Sequence, residues 1–332
     1  MLALSSAFAE EEKESTMVYG HAENYEIFSL SKPLEYSGMS KLELVLDARP
    51  SPASRLHAAF EVTNLRGSIA SQTPAQDFFL FDIPSLYISV WKGPWDFSVG
   101  KQPVKLGKGM IFSPADIFCP PALELGNARN AAVYASKASL SLGNYSAMEA
   151  VAVFNTKAEE GSYALDFQSL VYGFEIIAMG FYEDNPLNNK SYGAALAFKG
   201  DLLFGIYAEA AMRFSQGSTR PSWQASAGLD YSFGRDIFMV LEYFYNQGPY
   251  VLEKPHYMGF SAKYAFSELA SLSALLLSDL PDLNFASTLL FEYSLAQDTK
   301  LAVLLLYDKG NIKNDTKTKN SLHAGIKLAL YF

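Results

Sequence analysis

The residues best suited to chemistry in this chain are four histidines, His21, His57, His256 and His323, and one cysteine, Cys119. Nucleophilic hydrolysis needs a hydroxyl or thiol, a histidine base and an orienting acid within reach of one another. None of the histidines lies beside a Ser-x-Gly or His-Glu-x-x-His pattern, so the chain is read as not an enzyme. A single cysteine leaves no intrachain disulfide framework and no multi-thiolate metal site. With no glycine-rich phosphate cradle either, no cofactor and no metal are expected. A net charge of −9 argues against nucleic acid as a partner. The remaining chemistry lies in how the charges are distributed along the elements that carry them.

Only 18% of the 332 residues are charged, 49% are apolar and 14% are aromatic, with 20 Tyr and 24 Phe against 3 Trp. A soluble chain so poor in charge should contain long apolar runs. The longest uncharged stretches, such as Leu269 to Ser278, are about ten residues, well short of the ~20 needed to span a bilayer as a helix. Apolar and polar residues instead alternate with period two, as in half-buried strands. Leu42, Leu44, Leu46 and Ala48 share one face, with Lys41, Glu43, Asp47 and Arg49 on the other. Trp223, Ala225, Ala227, Leu229 and Tyr231 oppose Gln224, Ser226 and Asp230; Met258, Phe260, Ala262 and Tyr264 oppose Ser261 and Lys263. One face suits lipid and the other suits water.

Tight links fall near Gly93-Pro94, Gly143-Asn144, Gly200-Asp201, Gly234-Arg235, Ser267-Glu268 and Gln297-Asp298. Longer polar links fall between them, near 63–83, 103–130, 155–161, 184–190, 214–221, 247–255 and 308–320. Short and long alternate along the chain, the asymmetry of a membrane barrel with short periplasmic turns and longer external loops. The expected fold is all-β: one closed, antiparallel transmembrane β-barrel of 16–18 strands over residues 18–332. Ala7 and Ala9 precede Glu10-Glu-Glu in the manner of a cleavage site. Residues 1–9 are therefore read as the end of a signal peptide and residues 10–17 as a disordered leader, which places the barrel in an outer membrane.

Two segments carry a resemblance. Residues 321–332 alternate to the last position, and His323, Gly325, Leu328, Leu330 and the final Phe332 resemble the terminal strand by which bacterial outer-membrane proteins are recognised. This resemblance implies outer-membrane lipid and the barrel-assembly machinery as partners. Residues 98–118, with Gly100-Lys-Gln, then Gly107, Gly109 and Pro114-Ala-Asp116, resemble a segment of porin-like families. A porin-like channel for passive diffusion of small hydrophilic solutes is the implied function.

With apolar faces outward, the lumen wall is expected to carry Glu43, Asp47, Glu61, Asp96, Lys137, Glu149, Glu175, Glu209, Arg213, Asp230, Glu242, Lys263 and Glu292. The basic members also include Lys41, Arg49, Lys199 and Lys327. Both signs around a large lumen imply water, because a charge facing a dry core costs several kcal/mol. The mild acidic excess suggests a weak preference for cations or neutral solutes. The long segment 104–129 is expected as an external loop that folds inward in some porins. Its Lys105, Lys108, Asp116, Glu124 and Arg129 would then form a constriction with a transverse field. The inward positions Ile177, Met179, Phe244, Leu304 and Leu306 are apolar and keep open a second reading, a conduit for hydrophobic molecules. Adhesin activity would be a secondary role.

Overall fold

The computed structural model describes residues 15–30, 34–67, 78–118, 132–154, 161–185, 189–247, 254–310 and 320–332. Among them lie eighteen strands. The first nine are β1 (Ser15–Ser29), β2 (Glu35–Ser51), β3 (Ser54–Gly67), β4 (Phe78–Lys92), β5 (Trp95–Gln102), β6 (Val133–Ser141), β7 (Ser146–Phe154), β8 (Gly161–Val171) and β9 (Phe174–Asn185). The second nine are β10 (Asn189–Asp201), β11 (Gly205–Ser215), β12 (Ser222–Phe233), β13 (Ile237–Gln247), β14 (His256–Ala265), β15 (Ala270–Asp279), β16 (Phe285–Ala296), β17 (Thr299–Lys309) and β18 (Asn320–Tyr331).

Each strand pairs antiparallel with the next, and β18 pairs back onto β1 with His323 opposite Ser29 and Tyr331 opposite His21. The sheet is closed, so every strand has a strand neighbour on both sides and none is an edge strand. Phe332 completes the seam: its N–H donates to Gly20 O at 3.0 Å and its carbonyl accepts from Gly20 N–H at 2.8 Å. Eighteen strands settle the expected range of 16–18 at its upper end.

One rim carries links of two to four residues: 52–53, 93–94, 142–145, 172–173, 202–204, 234–236, 266–269 and 297–298. The opposite rim carries 30–34, 68–77, 103–132, 155–160, 186–188, 216–221, 248–255, 280–284 and 310–319. The alternation of short and long therefore sorts by rim, with differences in detail. The expected link at 184–190 shrinks to three residues, and that at 63–83 to ten, because β3, β4, β9 and β10 run further than the polar residues at their ends suggest. The link at 172–173 carries no glycine-asparagine signal, yet Tyr172 (φ 51°) and Gly173 (φ 83°) both adopt the left-handed region that two-residue hairpins favour. The first strand opens at Ser15, where Ser15, Thr16 and Met17 face Arg49, Ala48 and Asp47. These three residues belong to the barrel rather than to the leader expected over 10–17; residues 1–14 lie outside the described residues.

The alternation places apolar side chains on the outside. Leu42, Leu44, Leu241, Tyr243, Leu276, Leu289, Val303 and Leu328 are all exposed, while Glu43, Asp47, Glu242, Asn246 and Asp279, at inward positions, are buried. An outer wall of this composition suits hydrocarbon. Buried apolar residues form two clusters, and both are built around residues of the link after β5.

Candidate functional site

Residues 103–118 of that link lie inside the barrel. Val104, Leu106 and Ala115 pack with inward residues of six successive strands, among them Ala135, Val151, Val153, Ile177, Met179, Ala195 and Ala211. Ile111 and Phe112 pack with Tyr207, Val240, Phe244, Tyr257, Leu275 and Leu277. Phe112 stacks on Phe244 with ring centroids 4.9 Å apart and planes 9° from parallel. A segment this short can reach side chains from β6 to β15 only on the concave face of the sheet.

Two wall carboxylates hold the backbone of the loop. Glu209 accepts the N–H groups of Lys108, Gly109 and Ala115, the last at 3.1 Å, and the Ser113 hydroxyl at 2.9 Å. Glu242 accepts the N–H groups of Ile111 and Phe112, both at 2.9 Å, that of Met110 at 3.3 Å, and the Tyr207 hydroxyl at 2.9 Å. Both glutamates are almost wholly buried, at 3% and 0% exposure. Such burial is tolerable only because each carboxylate is saturated with charge-assisted hydrogen bonds. Successive backbone N–H groups curl around an anion as in a nest, and here the wall itself supplies the anion. The glycines make this approach possible: a Cβ on Gly107 would collide with the Ser113 hydroxyl and the Glu209 carboxylate, and one on Gly109 with the Phe112 carbonyl.

The loop also braces itself. Asp116, 3% exposed, accepts the Leu106 N–H at 3.2 Å, and its other oxygen has no partner among the described residues. Burial pushes this carboxyl up to about 7 from the usual 3.8, reinforced by nearby Glu209 and opposed by the Leu106 N–H and by Lys105. An acid whose folded value is raised favours the docked loop fully below its ordinary pKa, and that contribution declines as pH climbs toward 7. Docking should therefore loosen as pH rises from 3.8 to about 7 and change little above that. Asp116→Asn, which keeps the acceptor and removes the charge, should abolish most of this dependence. Hydrogen exchange at the Leu106 amide measures it, and an equal pH dependence in the variant would refute the assignment.

The described part of the loop packs on β6 to β15, and the wall from β17 round to β4 takes no part in either cluster. A belt of charges crosses it. Lys327 pairs with Glu23 at 2.7 Å, His21 lies 3.6 Å from Glu23 and 3.9 Å from Glu43, and Lys41 reaches Glu43 at 3.7 Å and Glu61 at 2.6 Å. The strand register makes this possible: Glu23 stands opposite Lys41, and His21, Glu43 and Glu61 share one row. Toward the short-turn rim, Asp47 is gripped by Arg55 and lies 3.5 Å from His57, whose Nε2 is 3.0 Å from the Ser85 hydroxyl.

The expected residues fall out as follows. All thirteen wall residues, Glu43, Asp47, Glu61, Asp96, Lys137, Glu149, Glu175, Glu209, Arg213, Asp230, Glu242, Lys263 and Glu292, occupy inward strand positions, as do Lys41, Lys199 and Lys327. Of the five aperture candidates, Lys105 is exposed and Lys108 is paired with Glu175 of β9 at 2.6 Å. Asp116 is turned into the base of the loop, and Glu124 and Arg129 lie outside the described residues, as does Cys119. The anchoring done by Glu209 and Glu242 was not distinguished from ordinary wall solvation in the sequence, and Glu23 and His21 were missed because β1 alternates weakly. Ile177, Met179 and Phe244 lie beneath the loop, whereas Leu304 and Leu306 lie outside both clusters.

A closed antiparallel barrel with an apolar outer wall, a charged inner wall and residues 103–118 of its longest link folded into the lumen has the architecture of a transmembrane porin. No protein-family model and no curated protein matches the sequence, but solved structures match the fold. OccAB2 of Acinetobacter baumannii shares it at a TM-score of 0.65 and 9% identity, with 96% of this chain and 98% of that one covered. OccK5 (OpdH) of Pseudomonas aeruginosa matches equally, at 0.65, 10% identity, 96% and 98%. A mutant of the Rhodopseudomonas blastica porin follows at 0.52 and 11%, with 96% and 100% covered.

Proposed function

We propose that this chain is an outer-membrane, porin-like channel through which small hydrophilic solutes diffuse passively, with a weak preference for cations or neutral solutes. The observation that carries this reading is the division of the lumen. One side is a loop clamped by Glu209 and Glu242, and the other is a belt of Lys327, Glu23, His21, Glu43, Lys41 and Glu61 that a dry interior could not accommodate. Three carboxylates against two lysines leave the belt mildly acidic, which favours cations without excluding neutral solutes. The match of the fold to porins supports the same reading, as does the terminal strand, whose His323, Gly325, Leu328, Leu330 and Phe332 we assign to recognition by the barrel-assembly machinery.

The reversal potential across a salt gradient tests the selectivity. The native protein should sit slightly on the cation side, Lys41→Glu should move it further that way, and Glu43→Lys should move it to the anion side. An unchanged potential in both variants would refute the belt as the selective wall. Transport of hydrophobic molecules is less well supported, since three of the five greasy inward residues serve the loop; swelling of proteoliposomes in sugar solutions distinguishes the two.

One arrangement favours a second reading, hydrolysis. His57 stands between the Ser85 hydroxyl and the Asp47 carboxylate in the order that nucleophilic catalysis requires. Asp47 is nevertheless committed to Arg55, and the His57 ring stacks on Tyr87 at 5.0 Å, so we assign these residues to the wall. Covalent capture of Ser85 by a fluorophosphonate would reverse that assignment.

A further inference from the structure

The inner wall holds a cavity of about 230 Å³ along β5, from Asp96 near the short-link rim to Pro103, where the inward loop begins. The register explains the space. Ser89 of β4 stands opposite Ser98 of β5, and in the adjacent row Ser139 of β6 lies between Asp96 and Glu149. Three serines thus make a shallow floor among longer polar side chains. Tyr87 bounds the cavity toward β3, its ring stacked on His57, and Gln102 bounds it toward the loop. Gln102 is fixed in place: its Nε2 donates to the Ala135 carbonyl at 3.0 Å, and its Oε1 accepts the Ser98 hydroxyl at 2.7 Å.

The charges around this floor do not balance. Lys137 lies 3.1 Å from Glu149 Oε2, which also accepts the Ser139 hydroxyl at 2.7 Å. The other Glu149 oxygen and both oxygens of Asp96 have no partner among the described residues. Asp96 and Glu149 flank Ser139, two strand spacings apart, which is about 10 Å between backbones. One lysine against two carboxylates leaves a net negative charge over a floor of hydroxyls. An anion would meet both carboxylates, with the only lysine of the cavity already engaged. Asp96 is exposed, so the cavity opens on the lumen.

We infer that this cavity binds a small hydroxyl-rich cation, an ammonium group on a body of the size and chemistry of an amino sugar, as it crosses the lumen. The ammonium sits between Asp96 and the open oxygen of Glu149, to which it donates charge-assisted hydrogen bonds. The hydroxyls of the body exchange hydrogen bonds with Ser89, Ser98 and Tyr87. The volume is below the roughly 300–1,000 Å³ of sites for drug-sized ligands, which suits a single sugar ring. A neutral sugar keeps the hydroxyl contacts but forfeits the charged ones, so it binds more weakly.

This inference rests on the reading of the chain as a channel and names one class of solute for it. Glucosamine added to a single channel conducting salt should interrupt the current at concentrations about tenfold below those needed with glucose. Asp96→Asn and Glu149→Gln should each raise the half-blocking concentration of glucosamine about tenfold and leave that of glucose nearly unchanged. Glu292→Gln removes the same charge from β16, outside the cavity, and should leave the glucosamine value nearly unchanged. Equal blockade by the two sugars would overturn the inference in favour of a site for neutral solutes. An equal loss in Glu292→Gln would overturn it in favour of a general charge effect of the lumen. Calorimetric titration of glucosamine into the folded protein in detergent reads the site without current. No binding there would overturn the inference, whereas binding in a protein that passes no current would refute the channel reading alone.

Discussion

Replacing Glu209 and Glu242 by alanine in one chain should release the inward loop and raise single-channel conductance about twofold, the change expected when a constriction leaves a lumen otherwise wide enough to conduct. Seven of the hydrogen bonds accepted by the two carboxylates come from the loop. Hydrogen bonds to charged groups contribute about 1.5–3 kcal/mol each. Losing all of them outweighs what the apolar contacts of Ile111 and Phe112 can retain. The amides left behind would be unpaired beside the wall, which further favours the undocked state. Glu209→Gln with Glu242→Gln keeps acceptors at the same places and should give a smaller increase with noisier current. Planar-bilayer recording measures all three proteins, and a conductance of the alanine variant equal to that of the native chain would show that the loop is held by its apolar contacts alone.

Removing Leu330, Tyr331 and Phe332 should reduce the yield of folded barrel in lipid vesicles to a small fraction of the native value. These residues close the sheet: Leu330 and Tyr331 stand opposite Ala22 and His21, and Phe332 exchanges both backbone hydrogen bonds with Gly20. Without them the facing part of β1 becomes a free edge in hydrocarbon, where each unsatisfied backbone group costs several kcal/mol. Refolding followed by the heat-dependent shift in gel migration reports the yield. Substituting Phe332 with leucine keeps the backbone and should fold in vitro, so the pair of variants separates closure of the seam from recognition of the terminal aromatic residue by assembly factors in cells. Full folding of the truncated chain would show that β1 tolerates an open edge.

Much of this molecule is readable in its sequence because a barrel strand repeats one rule. Leu42, Leu44 and Leu46 against Lys41, Glu43 and Asp47 state which face is wet with no knowledge of the neighbours, and the unequal links state which rim each turn occupies. The rule weakens where strands carry polar residues on their outer face. Asn24, Glu26, Asn64 and Arg66 blur the alternation of β1 and β3, so the start of β1 and the end of β3 were placed too far inside the sheet. The link after β8 was missed because Tyr172 is not a residue that turns favour. The inward loop was suggested only by resemblance. Its anchors lie about a hundred residues away in sequence, and nothing local sets Glu209 and Glu242 apart from the other inward acids. Asp116 was assigned to the aperture on charge alone, whereas the fold of the loop turns it inward to the Leu106 amide.

A wet lumen narrowed by a docked loop must conduct ions. Conductance of the purified, refolded protein in a planar bilayer tests it most directly. The protein should insert in discrete, equal steps that remain open at low voltage and carry both ions of a simple salt, with cations slightly ahead. A protein that folds in the same bilayer yet passes no current at any voltage would contradict it.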